Sequence, residues 1–125
     1  MGERYLIDSN AVIDFCNGTL PEKGKRLLLN VNPEISIITN IELFASKNIS
    51  DEEMGLLKRF VAFSTLHPLH SELIETTIRI RKNHSIKLPD AIVAATAIFY
   101  NLILVTRNLK DFQDIKDLQV INPYF

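Results

Sequence analysis

Short apolar segments alternate with helical patterns along this chain, and that alternation restricts the fold more than any other feature of the sequence. Strand-like segments are predicted at about residues 4–8, 34–38, 102–106 and 118–121. Strands separated by helices are typical of an α/β fold with a mostly parallel sheet. The sequence has no internal repeat or linker, so one domain is expected to span residues 1–125.

Several helix starts are marked by capping residues. Three pairs have the spacing of a capping box: Thr19 and Glu22, Thr39 and Glu42, and Ser50 and Glu53. Helices are predicted at 39–47, 51–63 and 71–82, and the last of these has one apolar face formed by Leu73, Ile74, Thr77 and Ile78. A further helix with Pro89 in its first turn is apolar nearly all round. It is expected between the sheet and another layer, which could belong to a second subunit.

Bulk composition excludes several classes of protein. The 125 residues suffice for one hydrophobic core, and 46% hydrophobic with 23% charged residues is ordinary for a globular protein. No apolar run reaches the ~20 residues of a membrane span, so no membrane association is expected. The single cysteine, Cys16, is expected to be a buried thiol in a reducing cytoplasm. Because the formal charge is −1, binding of a polyanion requires a local basic patch or a metal.

Four polar side chains lie where apolar segments begin or end. Asp8 and Asn108 follow predicted strands, while Glu42 and Asp90 lie in the first turns of predicted helices, Glu42 facing inward. Ligands of parallel α/β sheets bind beyond the carboxyl ends of the strands. We therefore expect these four residues to converge there as a catalytic site. Taken singly, each is explained as well or better by helix capping, by the helix dipole or by a turn.

The residue types indicate a bound cation. Carboxylates among aliphatic residues need a compensating positive charge, and the sequence offers these acids no evident cationic partner. Oxygen ligands suit a hard ion, so Mg²⁺ or Mn²⁺ is expected, with Asp8, Glu42 and Asp90 as metal ligands. The histidines and Cys16 lack the arrangement of a zinc site or of an activated nucleophile.

Basic residues lie beside the expected site. They precede Asp90 and flank Asn108: Arg79, Arg81, Lys82, Lys87, Arg107 and Lys110. Positive charge next to an acidic metal pocket is what a phosphodiester substrate requires. A solvated helix face, with Glu75 and Arg79 paired four residues apart, is the other interpretation of the first group.

Four short motifs occur in order along nearly the whole chain. They are Tyr5-Leu6-Ile7-Asp8-Ser9-Asn10, Ser36-Ile37-Ile38-Thr39 through Glu42-Leu43, Leu88-Pro89-Asp90-Ala91 with Ala94-Ala95, and Leu104-Val105-Thr106-Arg107-Asn108 through Asp111-Phe112. Together they resemble the PIN domain family, and more closely its VapC-like branch of toxin ribonucleases. A fourth acid often occupies the position of Asn108 in that family, and Asp111 is a second candidate for this carboxylate.

The resemblance implies a three-layer α/β/α domain with a central sheet of four to five strands. It also implies a Mg²⁺-dependent endoribonuclease that forms a homodimer and is neutralised by a small antitoxin. Asp8 and Asp90 would bind the metal directly, Glu42 would hold or deprotonate a water, and Asn108 would supply an oxygen.

Further residues would support this activity. Asn10 and Thr106 would form hydrogen bonds around the ligands, and RNA would contact Arg81, Lys87, Arg107 and Lys110. The antitoxin would place an Arg or Lys against the acids, with its apolar anchors in a groove around Leu27, Phe44 and Leu57.

Two other functions fit parts of the sequence. A catalytically silent PIN-like module that binds RNA or a protein is favoured by the uncharged Asn108, whereas Asp8, Glu42 and Asp90 argue against it. A receiver-like phosphoacceptor domain also carries aspartates at strand ends. It requires paired acids near the first strand and a lysine after a late strand, and the chain has neither arrangement clearly.

Overall fold

One parallel sheet organises the computed structural model, which describes residues 2–125. Within that range it has five strands: β1 (Tyr5–Ile7), β2 (Glu34–Ser36), β3 (Thr65–His67), β4 (Ile103–Val105) and β5 (Val120–Ile121). Their order across the sheet is β3-β2-β1-β4-β5, and every neighbouring pair is parallel. The predicted α/β fold is confirmed, and the sheet is wholly parallel rather than mostly so.

Seven helices connect these strands in the described chain. They are α1 (Ser9–Cys16), α2 (Glu22–Leu29), α3 (Ile37–Phe44), α4 (Asp51–Phe63), α5 (Ser71–Asn83), α6 (Leu88–Phe99) and α7 (Leu109–Phe112). No helix within residues 2–125 combines the length and apolar character needed to cross a membrane.

The sheet separates two hydrophobic cores. Alternate residues of a strand point to opposite faces, so Leu6 and Leu104 pack with α5 and α6, whereas Ile7 and Val105 pack with α1 and α4. This gives the three layers that the family resemblance implies. In α6, residues 91–97 are all buried, because the helix lies between the sheet and α5 of the same chain.

The predicted strand and helix ends differ from the observed ones in several places. The strand predicted at 34–38 ends at Ser36, and α3 begins at Ile37 rather than at Thr39. The edge strand β3 was not predicted, since two of its three residues are exposed and the segment lacks an apolar pattern. It pairs with β2, which places His67 in the sheet.

Only one of the three predicted capping boxes forms. Ser50 Oγ accepts a hydrogen bond from the Glu53 N–H at 3.1 Å, as expected. The other two predictions are wrong: Pro21, without a side-chain cap, precedes α2, and Ser36 caps α3 by accepting from the Thr39 N–H at 3.1 Å. Ser36 displaces Thr39 from the capping position because it ends a buried strand and can form the bond three residues earlier.

The buried face of α5 is rotated from the predicted one. Leu73, Thr76, Thr77 and Ile80 are buried, whereas Ile74 and Ile78 are 45% and 50% exposed. Threonine is tolerated inside because the Thr77 hydroxyl donates to the Leu73 carbonyl at 2.9 Å. The exposed isoleucines leave an apolar strip on the outer face of α5.

A buried carboxylate, that of Glu34 in β2, forms hydrogen bonds with a residue just before β1 and with a residue of β3. Glu34 accepts hydrogen bonds from Arg4 at 2.9 and 2.7 Å and lies 2.7 Å from His67 Nε2. Burial raises the pKa of Glu34, but the bonds from Arg4 and His67 together outweigh that effect and leave it below its ordinary value. The group is therefore held ionised as part of the fold.

Candidate active site

Asp8 is positioned by the carboxyl end of β1. Its N–H donates to the Val105 carbonyl at 2.9 Å, which continues the pairing of β1 with β4. Its carboxylate, on a residue only 7% exposed, accepts from the Thr106 hydroxyl at 2.7 Å, the Ser9 N–H at 2.9 Å and the Asn10 amide at 3.4 Å. The predicted supporting residues Asn10 and Thr106 thus contact Asp8 directly. Asp8 also caps α1, as the capping interpretation of this residue predicts.

Asp90 lies in the first turn of α6, as predicted, and is half-buried. Burial raises its pKa above the ordinary value, and the charges of Asp111, Asp8 and Glu42 raise it further, against a smaller opposite effect of Lys87. Burial also raises the pKa of Asp8, against its three hydrogen bonds, and Asp111 adds to the increase. Three carboxylates therefore lie close enough to Asp90 to raise its pKa, and Asp111 also acts on Asp8. We name Asp8, Glu42, Asp90 and Asp111 the acidic edge.

Glu42 does not face inward, contrary to the prediction. Because α3 begins at Ile37, Glu42 lies in its second turn and its side chain is exposed. It accepts a hydrogen bond from the Ser9 hydroxyl at 3.0 Å, which holds it beside the first residue of α1. Exposure leaves its remaining oxygen positions accessible to solvent or to a ligand.

Asn108 directly precedes the short helix α7, and Asp111 lies within it. Asn108 is exposed, its N–H donates to Thr106 Oγ1 at 3.1 Å, and its side chain makes no capping bond to α7. Asp111 is in α7, and its charge acts on both Asp8 and Asp90. Asp111 is therefore the fourth carboxylate of this edge, whereas Asn108 could contribute only an amide oxygen. The sequence signal for it was the three-residue spacing within the last motif.

The acidic edge offers carboxylate oxygens, the ligand type that a hard divalent cation prefers. No ion pair within residues 2–125 involves any of its four carboxylates. The side chains of the acidic edge do not converge on one point: no three His, Cys, Asp or Glu side chains of the described residues form a group that could hold one ion. A cation would therefore require side-chain rotation, for which the exposed Glu42 and Asp111 have room.

A basic cavity borders the acidic edge. It has a volume of about 420 Å³ and is lined by Arg81, Lys87 and Lys110 together with Asp90 and Asp111. Three of the four predicted RNA contacts thus share a cavity with two of the acids.

Arg107, the fourth predicted RNA contact, is engaged elsewhere. Its guanidinium lies 3.6 Å from an Asp14 carboxylate oxygen and 5.5 Å from the centre of the Tyr124 ring. Tyr124 also donates a hydrogen bond to Asp14. Arg107 therefore fastens the C-terminal segment to α1 and does not line the basic cavity.

Comparisons with known proteins agree with this fold. Ribonuclease VapC1 of Haemophilus influenzae (strain R2866) is 28% identical over 127 aligned positions, covering 92% of this chain and 94% of that protein. A solved toxin-antitoxin complex from Klebsiella pneumoniae has a chain that is 31% identical, with a TM-score of 0.78 over 96% of this chain and 98% of that one. DNA-bound VapBC from Salmonella typhimurium superposes with a TM-score of 0.79, covering 98% and 99% of the two chains, and at 22% identity shows the shared fold alone.

The sequence profile of the PIN domain family matches residues 5–118, which include all four motifs and the whole acidic edge. The resemblance to VapC-like proteins is confirmed, and the receiver-like alternative is wrong. The chain belongs to the PIN domain family.

Proposed function

We propose that this protein is an endoribonuclease of the VapC kind, dependent on Mg²⁺ or Mn²⁺ and restrained by an antitoxin. One observation carries the proposal: Asp90, whose pKa three neighbouring carboxylates raise, lies with them beside a basic cavity, and none of the four is in an ion pair within residues 2–125. Like charges kept together in a fold favour a bound cation, and the adjoining positive charge favours a phosphodiester. The ribonuclease name of the Haemophilus relative and the complex from Klebsiella support the same proposal.

Each residue of the site has a separate role in the proposed reaction. When bound, a divalent cation lowers the pKa of the attacking water and offsets charge on the phosphate. Asp8 and Asp90 would hold the cation through carboxylate oxygens, and Thr106 and Asn10 fix the orientation of Asp8. Glu42 orients the attacking water or accepts its proton.

The fourth ligand position and the RNA contacts complete this assignment. Asp111 contributes a fourth carboxylate, or Asn108 an amide oxygen. Arg81, Lys87 and Lys110 bind the RNA phosphates from the basic cavity.

The antitoxin is proposed to enter between α1, α3 and α4. A cavity of about 120 Å³ lies there, lined mainly by apolar side chains, including Ile13, Leu43 and Leu56, and bordered by Glu42. An Arg or Lys of the antitoxin would reach Glu42, Asp8 or Asp90 from this cavity and compete with the cation.

The anchors predicted for the antitoxin are revised accordingly. Leu57 is only 3% exposed and forms the cavity floor, and Leu27 lines a different cavity beside Phe125. Phe44 is half-buried against the same core.

A cytoplasmic homodimer is part of the proposal. Ile74 and Ile78 lie four residues apart on one exposed face of α5, and Ile41 of α3 is 57% exposed. Apolar side chains exposed in this way are suited to burial against a second subunit.

A silent PIN-like module is the second candidate. It is favoured by the uncharged Asn108 and by the lack of convergence of three carboxylates within the described residues. The two candidates differ in whether the purified chain, freed of partners, cleaves single-stranded RNA. We expect cleavage with Mg²⁺ or Mn²⁺ that EDTA stops. Binding of RNA without cleavage under any of these conditions would support the silent module.

Growth tests separate a toxin from a general nuclease. Expression of the chain alone should arrest its host, and co-expression of a small protein encoded beside it should restore growth. Asp90→Asn, made at the same level, should be harmless. Harmless expression of the wild-type chain, with no small protein co-purifying from the native source, would contradict the toxin assignment.

A further inference from the structure

Arg107, which follows β4, is held at two points by α1. Its N–H donates to the Asn10 side-chain oxygen at 3.2 Å. Its guanidinium lies 3.6 Å from a carboxylate oxygen of Asp14. Asn10 and Asp14 are four residues apart in α1, so their side chains lie on one face of that helix. This face therefore holds both the backbone and the side chain of Arg107.

The chain on either side of Arg107 carries groups of the candidate site. On one side, the Thr106 hydroxyl donates to Asp8 at 2.7 Å. On the other side, the Arg107 carbonyl accepts from the N–H of Leu109 at 3.1 Å, at the first residue of α7. Asp111 belongs to this helix. The position of residue 107 therefore affects both the hydroxyl bound to Asp8 and the helix that carries Asp111.

Asp14 is itself oriented by the C-terminal segment. The Tyr124 hydroxyl donates to its carboxylate, and the Arg107 guanidinium lies 5.5 Å from the centre of the Tyr124 ring. Burial, followed by the hydrogen bond to Asp14, raises the pKa of Tyr124 to about 12. The hydroxyl therefore remains a donor at neutral pH, and Asp14 has a defined orientation toward Arg107.

The pair of Asp14 and Arg107 has little value as a stabilising contact. The Arg107 side chain is 57% exposed, and exposed ion pairs contribute little to folding. Arg107 is also absent from the lining of the basic cavity, so the predicted contact with RNA gains no support. Placement of neighbouring groups is the remaining role, and a displacement of about 1 Å at a catalytic site can cost about 100-fold in rate.

We propose that Asp14 and Arg107 are positioning residues of the acidic edge. Their ion pair holds the segment between β4 and α7 against α1, and so keeps Thr106 and Asp111 in place relative to Asp8. The inference rests on the proposed ribonuclease function and deepens it, because it names contacts that hold the site together. In this role neither residue touches the RNA or the reacting atoms.

The test compares Arg107→Gln with Arg26→Gln, a matched control. Arg26 is also exposed and also lies 3.6 Å from a carboxylate, that of Glu22 in the same helix. With Mg²⁺, Arg107→Gln and Asp14→Asn should each lower kcat by about tenfold or more and leave KM unchanged, whereas Arg26→Gln should match the wild-type chain. The double variant of Arg107 and Asp14 should lose no more than the weaker single variant, because the two residues act as one unit. Arg107→Lys retains a cation opposite Asp14 and should recover part of the loss.

Three measurements do not depend on cleavage. Mn²⁺ affinity, followed by the electron paramagnetic resonance signal of the free ion, should fall by about tenfold in Arg107→Gln and in Asp14→Asn. Binding of a fluorescein-labelled single-stranded RNA in EDTA should be unchanged in Arg107→Gln, whereas loss of a phosphate contact would reduce the salt slope by about 0.7. Melting temperatures should change no more than in Arg26→Gln.

Several outcomes would overturn the proposal. They are an unchanged kcat and Mn²⁺ affinity in both single variants, additive losses in the double variant, or equal losses in Arg26→Gln. Weaker RNA binding with an unchanged kcat would make Arg107 an RNA contact instead. If Arg107→Gln does not fold, Arg107→Lys and Asp14→Asn provide the same comparison. A wild-type chain that never cleaves RNA would contradict the ribonuclease function, and the Mn²⁺ titrations would still decide whether the pair positions the acidic edge.

Discussion

Two glycines in helices should respond in opposite directions to the same substitution. A Cβ added at Gly24 of α2 would lie 2.2 Å from the backbone oxygen of Pro123 and 3.0 Å from Leu20 Cγ. A Cβ added at Gly55 of α4 would have nothing within 4 Å. Gly24→Ala therefore tests the close approach of α2 to the C-terminal segment, and Gly55→Ala is its matched control.

The magnitudes follow from two opposing effects. Alanine is favoured over glycine inside a helix by about 0.5–1 kcal/mol, and Gly55→Ala should stabilise the protein by that amount. Overpacking costs about 1–3 kcal/mol, and the upper part of that range applies at Gly24 because the obstacle is a backbone carbonyl. The net effect of Gly24→Ala should be a loss of about 2 kcal/mol.

Urea unfolding followed by circular dichroism measures both variants, with RNA cleavage as a second assay. Gly24→Ala should lower the urea midpoint without changing the slope, and Gly55→Ala should raise it. Cleavage should be unaffected, since neither glycine lies at the acidic edge. If Gly24→Ala is as stable as Gly55→Ala, the C-terminal segment moves aside freely and the packing argument is wrong.

Three further predictions concern the acidic edge and the buried carboxylate. Asp8→Asn and Asp90→Asn should each reduce cleavage by at least about 100-fold, and Asp90→Asn should also raise the melting temperature in metal-free buffer, because it relieves repulsion among the acids. Titration with Mn²⁺ should show a greater loss of affinity in Asp111→Asn than in Asn108→Ala, and tighter binding in Asn108→Asp; the reverse order for the first two would make Asn108 the fourth ligand. Since the pKa of Glu34 is lowered in the fold, its contribution to stability is present above the ordinary Glu pKa and is lost as the pH falls through the lower folded value. Urea midpoints measured from neutral to acidic pH should therefore fall less steeply in Glu34→Gln than in the wild-type chain, and parallel curves would show that Glu34 is not responsible.

Much of the fold could be predicted from periodicity. The apolar runs at β1, β4 and α6 are continuous because these elements are covered on both sides, so their positions are clear in the sequence. The strand β3 could not be found in this way, since an edge strand with two exposed residues has no continuous apolar run. The buried face of α5 was predicted incorrectly because hydrophobicity alone places isoleucine inside and threonine outside. Here two threonines are buried, since their hydroxyls donate to carbonyls of their own helix, and Ile74 and Ile78 are exposed.

The candidate site was partly predictable for a related reason. Asp8 directly follows the apolar strand β1 and Asp90 lies in the first turn of the apolar helix α6, and the two are close enough for the charge of Asp8 to raise the pKa of Asp90. The orientation of Glu42 depends on where α3 begins, and the cap lies at Ser36, three residues before the predicted Thr39. The sequence could not show that Arg107 lies outside the basic cavity, because its partners Asp14 and Tyr124 are distant in sequence.

The strand β1 lies in the centre of the sheet and pairs with β4, which is synthesised much later. Leu6 pairs with Leu104, and Asp8 receives its shortest hydrogen bond from Thr106, 98 residues further along the chain. At about 5–20 residues per second, a ribosome needs roughly 5–20 s to add the intervening segment. Contacts of such long range also slow folding after synthesis. A nascent or truncated chain that ends before β4 lacks both Thr106, the partner in that shortest bond, and Asp111, so its acidic edge is incomplete and the proposed activity appears only when the polypeptide is nearly complete.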